Sequence, residues 1–129
     1  MERDRLRLVA ELVVPADVSL LTVCRMVLAG VGSGLPLSDQ ALDDLKLVLS
    51  EICAGAMERT ATPGGTVEIA FRSSDAEIEV SVADHTPGVS ADGPGLGVPL
   101  LRQLCSRLDV DPRPDGPGTM IRFARALQR

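Results

Sequence analysis

The sequence has very few aromatic side chains. Phe71 and Phe123 are the only two, and Trp and Tyr are absent, so the core of this 129-residue chain must be built from Leu, Val, Ile and Ala. Cysteine and histidine are scarce too: there is one histidine, and the three cysteines (Cys24, Cys53 and Cys105) lie far apart without a C-x-x-C pair. This spacing favours a reducing compartment over a disulfide framework or a zinc site.

Positive charge is too sparse for a nucleic-acid surface. The net charge is -5, and no basic stripe is available to displace counterions from phosphates. The longest apolar run, residues 18–31, is interrupted by Arg25 and is too short to span a bilayer. Residues 1–5 are too charged for a signal peptide. We therefore expect a cytoplasmic protein that binds neither nucleic acid nor membrane.

Hydrophobic periodicity predicts eight elements in the order β-α-α-β-β-α-β-β. They are a strand at 5–14, a helix at 17–29, a second helix after Ser38, strands at 66–71 and 76–83, a helix at 98–107, and strands at 108–110 and 119–127. Gly30, Gly32 and Gly34 are expected to break the first helix. This order predicts a single domain over residues 1–129, an α/β two-layer sandwich with helices on one face of a mostly antiparallel mixed sheet.

The first predicted helix is apolar on almost every side. Its apolar residues include Val18, Leu20, Leu21, Val23, Met26, Val27 and Leu28. Such a helix is either central in the core or partly covered by another protein. Arg25 within it fits a partner-binding surface, and the two interpretations are about equally supported.

The second predicted helix carries the most informative pattern of the chain. Its apolar stripe follows 3-4-3-4 spacing through Leu42, Leu45, Leu49, Ile52 and Ala56, and it places Glu51 one turn before Gly55. Three further segments follow in order: D-H-T-P-G at 84–88 after a strand, G-P-G-L-G-V-P-L at 93–100, and G-P-G-T at 116–119 before the last strand.

Together these four segments resemble the N, G1, G2 and G3 boxes of the Bergerat-type, histidine-kinase-like ATPase fold. Gyrase, histidine kinases and the anti-sigma-factor serine kinases share that fold. The small size, the strand-helix opening and the phrase DDLKLVLSE favour the last group, and the resemblance covers residues 5–127. No single box is specific, but four boxes in the right order and spacing are strong evidence for the resemblance.

The resemblance implies a role for each matching residue. Asp84 would accept a hydrogen bond from an adenine amino group, Thr119 would support the adenine pocket, and Glu51 would orient or deprotonate a serine hydroxyl. The remaining positions that match the ligand-binding segments are Gly88, Gly95, Leu96 and Gly97, where glycines let backbone N–H groups approach phosphates.

Two positions depart from the family pattern. Gly55 stands where the family carries a magnesium-binding asparagine, and glycine has no side-chain oxygen for a hard cation. Thr86 stands where a glycine leaves room for adenine, and its β-branched side chain would crowd that space. We therefore expect that Mg·ATP no longer binds usefully, and we assign neither a metal ligand nor a cofactor.

Simpler interpretations of the same residues stay open. Glu51 can be a solvated helix residue, and Asp84 can be an ordinary turn former after a strand. The segment 95–97 can simply begin a helix. His85 is interpreted as a loop residue at the rim of the pocket, and the cysteines as core or pocket-wall filling.

Three functions follow from the resemblance. The first is an anti-sigma factor that sequesters an alternative sigma factor, is released by a STAS-type anti-anti-sigma partner, forms a homodimer and has no kinase activity. The second is an active serine kinase of the same family, with Glu51 as its catalytic residue. The third is a sensor whose former ATP pocket binds another small molecule, such as a sugar or nucleoside, through Glu51, Asp84, Thr86 and Thr119.

Overall fold

A computed structural model describes residues 5–60, 62–89 and 97–128. The predicted Gly95 and Leu96 of the third segment lie outside these ranges. The elements in chain order are β1 (Arg7–Pro15), α1 (Leu21–Gly32), α2 (Asp39–Arg59), β2 (Thr66–Ser73), β3 (Glu77–Asp84), α3 (Val98–Leu101), β4 (Arg107–Pro112) and β5 (Thr119–Ala126).

The five strands form one sheet in the order β1-β2-β3-β5-β4, with α1 and α2 packed on one face. This confirms the predicted two-layer α/β architecture. Every neighbouring pair of the described strands is antiparallel, so the mixed character expected from the sequence is not seen among them. The reason is topological: β3 and β4 run in the same direction, but β5 lies between them and pairs with both.

The second helix begins and is buried as its sequence predicts. Ser38 caps α2 by accepting a hydrogen bond from the backbone N–H of Ala41 at 3.0 Å. Leu45, Leu49 and Ile52 of the predicted stripe are fully buried, and they hold α2 against the sheet.

The first helix ends later than predicted. A 3₁₀ turn over Val18–Leu20 precedes α1, and the helix then runs through Gly30 to Gly32. A Cβ at Gly30 would meet no described atom within 4 Å, whereas a Cβ at Gly32 would lie 2.9 Å from Leu42 Cδ1. Gly32 therefore permits close packing of α1 on α2. Of the three glycines expected to break the helix, Gly30 lies within it, Gly32 is its last residue and Gly34 follows it.

The segment between α3 and β5 also differs from its prediction. The helix expected over 98–107 is only the single turn of α3 followed by a 3₁₀ turn over Arg102–Leu104. The Arg102 guanidinium donates to the carbonyl of Leu108 at 3.1 Å and ties this turn to the next strand. That strand, β4, begins earlier than expected, at Arg107, which pairs with Ala124 of β5 and whose side chain forms ion pairs with Glu77 and Glu79 of β3.

The core consists of aliphatic residues around the two aromatic ones, Phe71 and Phe123, both fully buried. Cys24 of α1 and Cys53 of α2 are also fully buried, which confirms that these two cysteines fill the core. Their mutual hydrogen bond and, second, burial raise the pKa of the Cys53 thiol well above its usual range. Among the described residues, no helix combines the length and apolar character needed to cross a membrane.

Candidate functional site

The C-terminal end of α2 meets the end of β3 in an ion pair. Arg59 Nη2 lies 2.9 Å from Asp84 Oδ2, across 25 residues of sequence. The Asp84 side chain is only 2% exposed, whereas that of Arg59 is 22% exposed. The buried carboxylate therefore has a cation as its partner, which offsets part of the cost of burying its charge.

Further hydrogen bonds connect the loop after β3 to its surroundings. The backbone N–H of Thr86 donates to Asp84 Oδ1 at 2.8 Å, so both carboxylate oxygens of Asp84 are engaged. Thr119 Oγ1 at the start of β5 donates to the Thr86 carbonyl at 2.6 Å. Thr86 Oγ1 in turn donates to the Arg59 carbonyl at 3.4 Å. Arg59, Asp84, Thr86 and Thr119 thus form one hydrogen-bonded cluster, the Asp84 cluster.

Gly118 allows two chain segments to approach closely beside this cluster. Its φ of +138° suits glycine, and a Cβ there would collide with the carbonyl oxygen of Asp84 and lie 3.0 Å from His85 Cα. The glycine in the last predicted box thus serves the contact between the start of β5 and the end of β3.

Gly55 faces the guanidinium of Arg59. A Cβ at position 55 would lie 3.1 Å from Arg59 Nη1, so a side chain there would require the guanidinium to shift by a few tenths of an ångström. Glu51, one turn earlier, is exposed. Glu51, Gly55 and Arg59 are each four residues apart and therefore lie on one face of α2.

The other predicted positions are spread more widely. Gly88 and Gly97 have φ of +79° and +61°, and Gly97 precedes α3. Arg25 of α1 is half-buried and donates to Ser50 of α2 at 3.1 Å. His85 is exposed in the loop after β3, where its Nε2 lies 3.7 Å from Glu68 Oε2 of β2.

Arg59 is the residue that the sequence reasoning missed. The signal was its position four residues after Gly55, where a long cation can reach back over a missing side chain. Its partner was not readable from that spacing, because the Arg59–Asp84 contact depends on how α2 packs against β3.

The described residues do not fit a magnesium nucleotide. Gly55 offers no side-chain oxygen, and a guanidinium stands beside it, which repels a dication. Among the residues that the structure describes, no group of three or more His, Cys, Asp or Glu side chains is arranged to hold a metal ion.

Comparison with known proteins identifies the family. The sequence profile of the histidine kinase-like ATPase domain matches residues 14–125. The chain belongs to the histidine kinase-like ATPase domain family. The family resemblance that its four segments predicted is thereby confirmed.

Individual members of this family are similar over most of the chain. The serine-protein kinase RsbW of Bacillus subtilis is 33% identical over 78% of this chain and 76% of its own length. The serine-protein kinase RsbW of Halalkalibacterium halodurans is 22% identical over 92% of this chain and 83% of its own length.

A solved structure supports the fold independently. The crystal structure of the RsbU and RsbW domains of a Mycobacterium tuberculosis protein superposes with a TM-score of 0.73 at 17% identity. The match covers 94% of this chain and 33% of that longer one. At this identity it shows the fold alone.

Proposed function

We propose that this histidine kinase-like ATPase domain acts as an anti-sigma factor. It sequesters an alternative sigma factor, is released by a STAS-type anti-anti-sigma partner, and does not phosphorylate that partner. Similarity to RsbW proteins supports the regulatory class. The misfit between the Asp84 cluster and Mg·ATP supports regulation by binding alone.

The observation that carries the proposal is an exposed apolar surface at the first helix. Val18, Val23 and Met26 form what we call the first-helix face, and their exposed fractions are 52%, 42% and 67%. Several large apolar side chains exposed within one short segment favour a protein interaction site. Arg25 lies between Val23 and Met26, and an arginine among apolar residues is common at interface hot spots.

Competition for this face would provide the release step. A sigma factor and a STAS protein that both cover Met26 cannot bind at once, so the partner at the higher effective concentration displaces the other. This mechanism needs no turnover of ATP.

The edge of the sheet supports the proposed homodimer. β1 is an edge strand, and its Leu8, Val9 and Val13 are at least half exposed. An unpaired edge with large apolar side chains favours pairing with another chain. A second copy can cover it while leaving the first-helix face to the sigma factor.

An active serine kinase is the second candidate, because the two RsbW relatives are named serine-protein kinases. Glu51 is exposed and would be within reach of a partner's serine. In this case the loss of the asparagine at position 55 would have to be compensated by water.

One experiment separates the two candidates. The purified chain is titrated by calorimetry with the alternative sigma factors and STAS proteins of the genome that encodes it, and each STAS protein is also incubated with the chain, magnesium and labelled ATP. We expect one sigma factor to bind and one STAS protein to displace it without label transfer. Labelled serine would establish the kinase instead, and the absence of any sigma-factor binding would refute the proposal.

A further inference from the structure

We infer that Arg59 is a built-in occupant of the former nucleotide site, an intramolecular ligand that holds Asp84 and closes the site to nucleotides. The guanidinium supplies the N–H donor that the buried carboxylate requires. The structure thereby assigns Arg59, a residue outside all four recognised segments, a direct contact with Asp84.

The contacts of Asp84 leave a ligand little to bind. One carboxylate oxygen accepts from Arg59 Nη2 at 2.9 Å and the other from the Thr86 N–H at 2.8 Å. A carboxylate can accept more than two hydrogen bonds, but one that is only 2% exposed has little room for a further donor, so an incoming amino group competes with the charge-assisted bond from Arg59. The same holds for a sugar or nucleoside that uses Asp84 as its acceptor.

Gly55 and Arg59 act together in this arrangement. Because a Cβ at position 55 would lie 3.1 Å from Arg59 Nη1, the glycine creates the space that the guanidinium fills. The absence of a side chain at position 55 and the placement of the Arg59 guanidinium are thus spatially linked. Arg59 also retains an unused donor, since its buried Nε has no hydrogen-bond partner among the described residues.

This inference deepens the part of the proposed function that excludes ATP turnover. It makes no use of the first-helix face, so the two can fail separately. Sigma-factor binding tests the proposed function, whereas nucleotide affinity in the absence of any partner tests Arg59.

The test is calorimetric titration of ADP, without magnesium, into the wild-type chain and into Arg59→Ala. We expect no measurable binding to wild type and at least a tenfold gain in affinity in R59A. Removing a cation should weaken the general attraction of an anion, so a gain in affinity must come from vacating the site. Arg125→Ala is the matched control, because Arg125 forms a similar Arg–Asp pair at 3.0 Å with Asp44, which lies on α2 four turns before Arg59. R125A should show no gain in affinity for ADP.

The two outcomes that would overturn the inference are clear. One is ADP binding to wild type within threefold of R59A, and the other is a folded R59A that does not bind ADP.

A second measurement uses the intact chain, because R59A leaves a buried carboxylate unpaired and can fail to fold. NMR of the wild-type arginine side chains should give separate, slowly exchanging Nη signals for Arg59, since a paired guanidinium rotates slowly. In Asp84→Asn these signals should merge. A single averaged signal in the wild-type chain would show that the guanidinium does not hold Asp84, and would refute the inference whatever the behaviour of R59A.

Discussion

The Asp84 cluster and the first-helix face lie on the same fold and differ in almost every physical respect. In the cluster, buried polar groups find their partners within the chain: Asp84 with Arg59, and Thr119 with Thr86. On the first-helix face, Met26 and Val18 are more than half exposed. The cluster pairs its polar groups internally except for Arg59 Nε, which has no partner among the described residues, and the first-helix face offers apolar surface that the described chain does not cover.

This difference indicates where binding energy is available. A ligand at the cluster must first break an internal ion pair, which offsets much of what its own contacts contribute. A partner at the first-helix face breaks no such pair, and each Å² of apolar area that it covers contributes about 25 cal/mol before the cost of association is subtracted. The proposed function therefore predicts that partner binding depends on the surface of α1 more than on the Asp84 cluster.

The largest effect on this comparison is expected from a substitution that disrupts the Asp84 cluster. Gly118→Ala would push a Cβ into the Asp84 carbonyl in a backbone conformation that suits glycine, and we expect the free energy of unfolding to fall by about 3 kcal/mol. Urea denaturation gives this value. Gly116→Ala is the control, because Gly116 also has positive φ, +150°, but its Cβ would meet no described atom within 4 Å. Equal losses in the two variants would mean that the close approach to β3 contributes nothing.

A smaller effect is expected from a substitution on the first-helix face. Met26→Lys should weaken sigma-factor binding at least tenfold, about 1.4 kcal/mol, and change the free energy of unfolding by less than about 0.5 kcal/mol because the side chain is exposed. Leu100→Lys makes the same change on α3 at a similar exposure, 71% against 67%, and should leave binding intact. If both variants lost affinity alike, the effect would be one of general charge and not of the first-helix face.

The two regions also differ in how far the sequence predicted them. The helix α2 was readable because Ser38 and the 3-4-3-4 stripe act locally, and alternating residues predicted the strands that became β2 and β3. The end of α1 was misjudged, because Gly32 is a packing contact with Leu42 and such contacts have no local signature.

Long-range pairs account for most of what was missed at the site. Asp84 and Thr119 were predicted as pocket residues, and they do come together, since they are register partners between β3 and β5. Arg59 was not predicted, because its role arises only when the C-terminal end of α2 meets the end of β3. A missing asparagine was visible in the sequence, but the cation beside it required the fold.

The smallest expected effect concerns the partly exposed ion pair between Arg125 and Asp44. The hydrogen bond from Arg125, followed by that from Gln40, lowers the pKa of Asp44. A carboxyl with a lower pKa in the folded state stabilises the fold above its unfolded pKa of about 3.9, and this contribution disappears as pH falls through the folded value. Because the pair is partly solvated, we expect it to contribute less than about 1 kcal/mol to the free energy of unfolding.

The measurement compares urea denaturation of the wild-type chain and Asp44→Asn at about pH 7 and about pH 3. The wild-type advantage at neutral pH should shrink in acid, since the protonated carboxyl no longer attracts Arg125. An advantage that is independent of pH would mean that the pair contributes only an uncharged hydrogen bond.

The Arg59–Asp84 pair should respond differently to salt, because a carboxylate that is 2% exposed is screened far less than that of Asp44, which is 18% exposed. Salt should therefore reduce the Asp44 contribution and leave that of Asp84 nearly unchanged, which would distinguish an internal ligand from an ordinary surface ion pair.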